Sequence, residues 1–223
     1  AAGQTYTDRV DVVTADGTVQ TITVTITGTN DVPVISAVTA PAEVLDTVAT
    51  DTFAAVTGTI DASDADAGHV LTYSVDTETG PSGSRQGTYG TLTVDPQTGA
   101  YRYEVNAGAV NALTSVTSED FTVLVQDELG AWDSRTLTFT VTGANDAPII
   151  TSISTPSSVV DTSGVDAFDD IVGSITASDV DAGSVLSYAI QSGPSAIGSL
   201  AGGFGTLTVD SATGEYRYVV NAG

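Results

Sequence analysis

The residues best suited to chemistry are acidic side chains in two short patterns, each of which occurs twice. An Asn-Asp pair precedes x-Pro, and an Asp-x-Asp loop precedes a glycine and an apolar segment; the members are Asn30, Asp31, Asn145, Asp146, Asp64, Asp66, Asp179 and Asp181. Ca²⁺ prefers six to eight oxygen ligands of this kind. Two carboxylates so close together repel each other unless a cation or solvent neutralises them. The patterns therefore indicate calcium; the alternative is that Asn-Asp only caps a turn and Asp-x-Asp only decorates a loop.

Other metal and catalytic chemistries have weaker support. The twelfth position counted from Asp64 is Val75, where an EF-hand needs a bidentate Glu. The chain has one His and no Cys or Lys. Because His69 stands where the repeat described below has Ser184, we interpret it as an exposed loop residue. Ala201–Gly205 lacks the Lys of a phosphate-binding loop. We predict that the protein is not an enzyme.

The charge of the chain excludes two classes of partner. Its 223 residues carry a formal net charge of -23, and all five basic residues are Arg. Such a chain repels nucleic acid and anionic membrane surfaces. No apolar run is long enough for membrane insertion. A hydrophobic content of 41% is sufficient for a packed core. The chain has no Met, as expected of an internal or processed piece.

An internal repeat organises the elements that must position these acids. The offset from Asp31 to Asp146 is 115 residues, and the same offset joins Gly90–Asp95 to Gly205–Asp210 and Thr21–Gly28 to Thr136–Gly143. Self-similarity at a fixed spacing is the signature of a repeat architecture. Its phase predicts three parts: 1–29, the C-terminal strands of a preceding repeat; 32–144, one complete repeat; and 147–223, the N-terminal and middle part of a following repeat.

The local pattern within a repeat has a period of two residues. Thr136, Thr138, Thr140 and Thr142 alternate with Leu137, Phe139 and Val141, which is typical of a strand with one polar and one apolar face. Asp95-Pro-Gln-Thr-Gly99 supplies a turn between two further strands. About seven short strands in each repeat predict an all-β fold of tandem antiparallel immunoglobulin-like or cadherin-like β-sandwiches.

The whole chain resembles a known repeat. Phe121–Asp127, followed by a Thr-rich strand and Gly143-Ala-Asn-Asp-Ala-Pro148, resembles the closing half of a VCBS-type repeat. These cadherin-like modules occur in very large secreted bacterial surface adhesins of the RTX type. The pattern is also similar to eukaryotic cadherin repeats, which bind calcium at the junctions between domains. The resemblance implies an extracellular location at a bacterial cell surface and a role in adhesion and biofilm formation.

The resemblance also implies a ligand set at each junction. The first junction would use Asn30, Asp31, Asp64, Asp66 and Asp127; the second would use Asn145, Asp146, Asp179 and Asp181, with Glu119 and Asp120 as the upstream acidic group. Three departures weaken the match. Gly28 and Gly143 replace the first Asp of the cadherin linker, Val32 and Ala147 replace its second Asn, and Gln4 and Thr5 replace the acidic pair upstream of the first junction. We expect fewer ions than in a cadherin, and unequal affinities.

Three functions follow from these patterns. The first is a spacer whose partners are the neighbouring repeats of the same chain and whose joints calcium stiffens. The second is an adhesive module that binds a glycan or protein through Trp132 and Tyr89, although single aromatic side chains more often pack inside a sandwich. The third is a filament subunit with homotypic contacts, in which residues 1–29 of one chain complete the repeat begun at 147–223 of another.

Overall fold

The computed structural model describes residues 2–66, 68–164 and 167–221 and divides into two compact units. Unit 1 comprises Ala1–Leu45, Thr52–Val110 and Ser115–Thr142. Unit 2 comprises Asp46–Asp51, Asn111–Thr114 and Gly143–Gly223. The three-part division by sequence repeat, whose terminal residues 1, 222 and 223 lie outside the described ranges, stays a prediction.

Unit 1 holds twelve strands and one short helix. In chain order they are β1 (Thr5–Val13), β2 (Val19–Thr27), β3 (Val34–Val38), β4 (Val44–Leu45), β5 (Val56–Ser63), β6 (Thr72–Thr77), β7 (Gly80–Ser82), β8 (Ser84–Gln86), β9 (Gly90–Val94), β10 (Ala100–Val105), α1 (Ala107–Val110), β11 (Val116–Gln126) and β12 (Trp132–Thr142). No helix in the described ranges is long and apolar enough to cross a membrane.

The strands from β3 onward form two five-stranded sheets with a common core. Their orders are β3-β5-β10-β9-β8 and β4-β12-β11-β6-β7, and every pairing is antiparallel except the parallel pairing of β4 with β12. Tyr103 of the first sheet stacks on Phe139 of the second, with ring centroids 4.0 Å apart. Alternate positions of both sheets are buried in this core, including Leu92, Val123 and Val141. The predicted all-β fold of antiparallel sheets is confirmed.

The turn between β9 and β10 shows why particular residues recur in the repeat. Gly99 has a φ of +68°, and a Cβ there would lie 2.4 Å from the Ile60 carbonyl oxygen, so only glycine fits. Asp95 Oδ1 accepts hydrogen bonds from the backbone N–H groups of Gln97 and Thr98 at 3.0 and 2.8 Å. Together with the Thr98 hydroxyl, which has the largest effect, these donors hold the pKa of Asp95 below its usual range.

Unit 2 repeats the first sheet of unit 1. It contains β13 (Ile149–Ile153), β14 (Ile171–Ser178), β15 (Ile190–Ser192), β16 (Ser195–Ile197), β17 (Ser199–Ala201), β18 (Gly205–Val209) and β19 (Glu215–Val220). The sheet order β13-β14-β19-β18-β17 corresponds strand for strand to β3-β5-β10-β9-β8. The register shifts after Ile150 as it does after Ile35, 115 residues earlier. The two repeats therefore share not only their sequence pattern but also the register in which their first two strands pair.

The β1–β2 hairpin exposes apolar side chains whose repeat equivalents are buried. Its exposed residues include Tyr6, Val10, Ile22, Val24 and Ile26, each between 51% and 57% accessible. One repeat later stand Phe121, Val125, Leu137, Phe139 and Val141, each at most 3% accessible. The hairpin thus has the apolar residues of an inner sandwich face, and these residues are exposed to solvent.

Candidate metal centre

The two Asp-x-Asp loops adopt the same local conformation. The backbone N–H of Asp66 donates to Asp64 Oδ1 at 2.7 Å, and the N–H of Asp181 donates to Asp179 Oδ1 at 2.9 Å. Asp and Asn side chains commonly accept such a bond two residues along the chain. Each loop therefore fixes the direction of its first carboxylate by a contact within the loop.

The Asn-Asp pairs dock onto these loops in the same way. The N–H of Asp31 donates to Asp66 Oδ2, and the N–H of Asp146 donates to Asp181 Oδ2, both at 2.9 Å. The first bond holds the pKa of Asp66 below its usual range. In both repeats the Asn-Asp pair is therefore in direct contact with the Asp-x-Asp loop that follows it in sequence.

The second cluster contains an acid that the sequence analysis did not predict. Asp46, Asp146 and Asp181 are 8%, 2% and 6% exposed, and Asp179 stands beside them in the loop. We call Asp46, Asp146, Asp179 and Asp181 the Asp146 cluster; all four residues belong to unit 2. Asp46 Oδ2 accepts the backbone N–H of Ala144 at 3.2 Å, which holds its carboxylate beside the Asn145-Asp146 pair.

Several contacts hold the segments that carry the Asp146 cluster. Asp51 Oδ2 accepts the N–H of Thr47 at 2.6 Å, and the N–H of Asp51 donates to Asn111 Oδ1 at 2.6 Å. The N–H of Ala182 donates to the Ala112 carbonyl at 3.0 Å. A Cβ at Gly143 would lie 2.3 Å from Leu113 Cβ, so a larger residue does not fit there without a shift of the neighbouring chain. Three stretches that are distant in sequence are therefore packed around these acids.

The Asp146 cluster has an excess of buried negative charge. Burial raises the pKa of Asp146, and the neighbouring carboxylates of Asp46 and Asp181 raise it further. Four buried oxygens of the cluster lack a hydrogen-bond partner: Asp46 Oδ1, Asp146 Oδ1, Asp146 Oδ2 and Asp181 Oδ1. Burying an ionised carboxylate without a partner costs several kcal/mol. A divalent cation among these oxygens would remove that cost, so the donor set fits a hard cation.

The first cluster is built differently, around Asp127. Asp127 Oδ1 accepts the N–H groups of Leu129 and Ala131 at 2.9 and 2.8 Å, and Oδ2 accepts Asn30 Nδ2 at 2.7 Å. The Asn30 amide is the main reason why the pKa of Asp127 lies below its usual range. Asp31 is exposed, in contrast to Asp146. The structure therefore brings Asn30 and Asp127 together and leaves Asp31 at the surface, and their shared role as metal ligands stays a prediction.

His69 belongs to this first cluster, and our interpretation of it as an exposed loop residue is wrong. Its side chain is 9% exposed. One ligand atom from each of Asp64, His69 and Asp127 lies within 4.8 Å of the other two. We call these three residues the His69 cluster. Within the described ranges no other group of three His, Asp or Glu side chains is so tight; the ligand atoms of the Asp146 cluster do not all fall within that distance.

Glu119 and Asp120 are engaged elsewhere in unit 1. Glu119 Oε2 accepts the Tyr103 hydroxyl at 2.8 Å, and Oε1 accepts the backbone N–H groups of Thr88 and Tyr89. Asp120 Oδ1 accepts the Thr138 hydroxyl at 2.6 Å. These contacts join neighbouring strands and a loop of the sandwich. A ligand role for the two acids stays a prediction that none of these contacts supports.

The two aromatic residues considered for adhesion differ in exposure. Trp132 is 58% exposed and lines a shallow surface groove with Leu124, Gln126 and Ser134, whereas Tyr89 is half-buried. Single aromatic side chains more often pack inside a sandwich, but the Trp132 side chain lies at the surface. Binding of a glycan or protein at this face stays a prediction.

A signal for Asp46 was present in the repeat. Asp46 and Asp51 stand 115 residues before Asp161 and Asp166, so both acids recur although neither lies in an Asn-Asp or Asp-x-Asp pattern. Asp166 lies outside the described residues, and Asp161 is exposed. A search for recurring acids alone, without a motif, would have found the pair. It would not have found Asn111, because no repeat equivalent of that residue occurs in the chain.

Comparison with known proteins gives a resemblance in fold. The sequence matches no protein-family model and no curated protein. Among solved structures, it is similar to protocadherin gamma B7 extracellular cadherin domains 1–4, with 16% identity over 97% of this chain and 49% of that one and a TM-score of 0.41. It is similar to mouse cadherin-23 domains EC22–24, with 16% identity over 97% and 63% and a TM-score of 0.36. The chain thus spans about half to two-thirds of these structures, and the similarity carries no argument about ligands.

Proposed function

We propose that this chain is a calcium-binding spacer from an extracellular bacterial surface adhesin. The four partnerless oxygens on the buried side chains of Asp46, Asp146 and Asp181 carry the proposal. A cluster of exposed acids would gain less from a cation, because water already solvates each carboxylate. These carboxylates are withdrawn from water, and Asp46 and Asp181 repel Asp146, so a bound ion would supply a large part of their stabilisation.

The ion would be held mainly by Asp46, Asp146 and Asp181. Together they offer four free carboxylate oxygens, and Ca²⁺ takes six to eight oxygen ligands, so water and neighbouring carbonyl groups would complete the shell. When bound, calcium supplies positive charge at the centre of the cluster. In the sequence repeat Asp46 belongs to the middle repeat, Asp146 lies in the junction that follows it, and Asp181 belongs to the following repeat. One ion would therefore link segments of two consecutive repeats.

The composition supports a spacer outside the cell. A net charge of -23 with no Lys keeps a long repeat array soluble and disfavours nucleic acid as a partner. The resemblance to VCBS-type repeats points to the same location and to the surface of a bacterium. The neighbouring repeats of the chain are its expected partners. No part of the proposal requires a catalytic group.

Thermal unfolding in chelator and in millimolar calcium tests the proposal. A ligand at 100 times its Kd stabilises the folded state by about 2.7 kcal/mol. For a domain of this size the expected rise in Tm is about 10 °C. Small-angle scattering should show a longer particle in calcium than in chelator. Identical melting curves and identical scattering in the two buffers would overturn the proposal.

A second candidate function is assembly through the β1–β2 hairpin. The apolar side chains of Tyr6, Val10 and Ile22 are exposed, whereas their repeat equivalents lie in a sandwich core. We infer that this hairpin packs against the open sheet of another repeat, in the same chain or in a second copy. Burying side chains of this size stabilises a contact by roughly 1.5–3 kcal/mol each.

Sedimentation at increasing concentration tests the assembly. Head-to-tail association predicts that the mean mass rises with concentration. Val24→Asp should abolish this rise, whereas Thr25→Asp should not. The two residues are consecutive in one strand, so their side chains face opposite sides of the hairpin. A monomer at every concentration, or equal effects of the two substitutions, contradicts association of separate chains.

A further inference from the structure

His69 is buried in a way that its hydrogen bonds do not explain. Its Nδ1 is inaccessible to solvent and has no hydrogen-bond partner. Glu128 Oε2 lies 3.6 Å from Nδ1, beyond hydrogen-bond distance. That oxygen already accepts the backbone N–H of Val70 at 2.9 Å. A buried ring nitrogen without a partner loses its hydration and gains nothing in exchange.

Asp64, in the same group of three residues, has a second such atom. Its Oδ1 accepts the N–H of Asp66 at 2.7 Å, whereas its Oδ2 is buried and has no hydrogen-bond partner. Asp127 contributes the third ligand atom within the 4.8 Å group. Its carboxylate is already oriented by Asn30, Leu129 and Ala131. Such supporting bonds fix the direction of a metal ligand before the ion arrives.

The ligand types separate this group from the Asp146 cluster. At the repeat position of His69 the other loop has Ser184, whose hydroxyl donates to the Asp181 carbonyl at 3.0 Å. The Asp146 cluster therefore offers only oxygen, which suits calcium. One imidazole nitrogen with two carboxylates suits a borderline divalent metal such as Zn²⁺, because imidazole is a poor ligand for hard cations.

We propose that Asp64, His69 and Asp127 form a binding site for a first-row divalent transition metal, with Zn²⁺ as its probe. Zn²⁺ binds imidazole nitrogen and carboxylate oxygen at about 2.0–2.2 Å in tetrahedral sites. Three protein ligands leave the fourth position to water or to an additional donor. The site does not use the Asp146 cluster, so its existence does not depend on whether that cluster binds calcium.

Nuclear magnetic resonance of the intact chain tests the site directly, since His69 is the single His. Addition of one equivalent of Zn²⁺ should shift the Nδ1 resonance of the imidazole and leave Nε2 protonated. Addition of calcium at the same concentration should leave both nitrogen resonances unchanged. An imidazole that does not respond to saturating Zn²⁺ overturns the proposal, and so does equal displacement of Zn²⁺ by an equimolar amount of calcium.

Calorimetric titration with Zn²⁺ compares the wild-type chain with matched variants. His69→Ser places at this position the residue that the other loop carries at Ser184, and it should weaken zinc binding at least tenfold. Asp64→Asn should have a similar effect, whereas Asp179→Asn, at the equivalent position of the other loop, should leave zinc affinity unchanged. Circular dichroism verifies folding. Wild-type affinity in a folded His69→Ser variant refutes the assignment and leaves the calcium proposal standing.

Discussion

The Asp146 cluster and the His69 cluster start from the same two motifs and become different sites. In both, an Asn-Asp backbone N–H donates to the second Asp of an Asp-x-Asp loop at 2.9 Å. Asp146 is then 2% exposed and faces Asp46, whereas Asp31 is exposed. In the first cluster the buried atoms without partners include an imidazole nitrogen instead.

In both clusters the local motif sets the framework, and residues distant in sequence add carboxylates to it. Asp46 precedes Asp146 by 100 residues, and Asp127 follows Asp64 by 63 residues. Each adds a carboxylate to its cluster, whereas the nitrogen donor of the first cluster comes from His69, which the other loop replaces with Ser184. Three predictions test this division of roles, in order of decreasing effect.

The largest effect is expected for Asp146→Asn. In chelator the substitution removes a buried charge that repels Asp46 and Asp181, so the free energy of unfolding should rise and Tm should increase by about 5 °C. In calcium it removes a ligand, so Tm should fall below that of the wild type. Asp31→Asn is the matched control and should change Tm little in either buffer. A substitution that lowers Tm in both buffers contradicts the interpretation of stored charge repulsion.

An intermediate effect is expected for Asp46→Asn. Loss of one anionic ligand should weaken calcium binding about tenfold, which corresponds to about 1.4 kcal/mol. Asp161→Asn changes the repeat equivalent, which is exposed, and should leave calcium affinity unchanged. Calorimetric titration with calcium measures both. If the two variants bind alike, Asp46 is not the donor that distinguishes the cluster.

The smallest effect is expected for two equivalent residues whose hydrogen bonds are the same in both repeats. Asp95 and Asp210 each accept two backbone N–H groups in the same turn, and these bonds help to hold the pKa of both carboxyl groups below 3.8. A lowered folded-state pKa contributes stability that is present above the unfolded pKa and lost as the pH falls through the folded one. Carbon-detected titration should give both groups a midpoint below 3.8, in calcium and in chelator. If calcium changes the titration midpoint of only one of the two carboxyl groups, a metal site affects that turn and the two turns are not equivalent.

The fold was more accessible from the sequence than the sites were. Alternation of Thr with Leu137, Phe139 and Val141 predicts a strand with one buried face, and the structure buries all three apolar residues. Local periodicity is sufficient for that conclusion because each strand reports its own faces. The repeat offset likewise predicts corresponding strands, as the two equivalent sheets show.

The ligand atoms depend on contacts that no local pattern encodes. The environment of His69 is set by Asp127, which arrives from the other end of the middle repeat. In sequence His69 is a polar residue in an acidic loop, and its replacement by Ser184 in the next repeat favoured an unimportant role. The ligand role that the resemblance implies for Glu119 and Asp120 stays a prediction; the Glu119 carboxylate accepts bonds that join a loop to the sandwich core.

The parallel pairing of β4 with β12 has a mechanical consequence. Val44 and Leu45 pair with Val141 and Thr142 near the two ends of the middle repeat. When a tethered chain is stretched, its ends pull β4 toward its N-terminus and β12 toward its C-terminus. Because the strands run in the same direction, this load shears all their hydrogen bonds together, whereas an antiparallel terminal pair would be peeled apart bond by bond. The middle repeat therefore presents a shear clamp to tension.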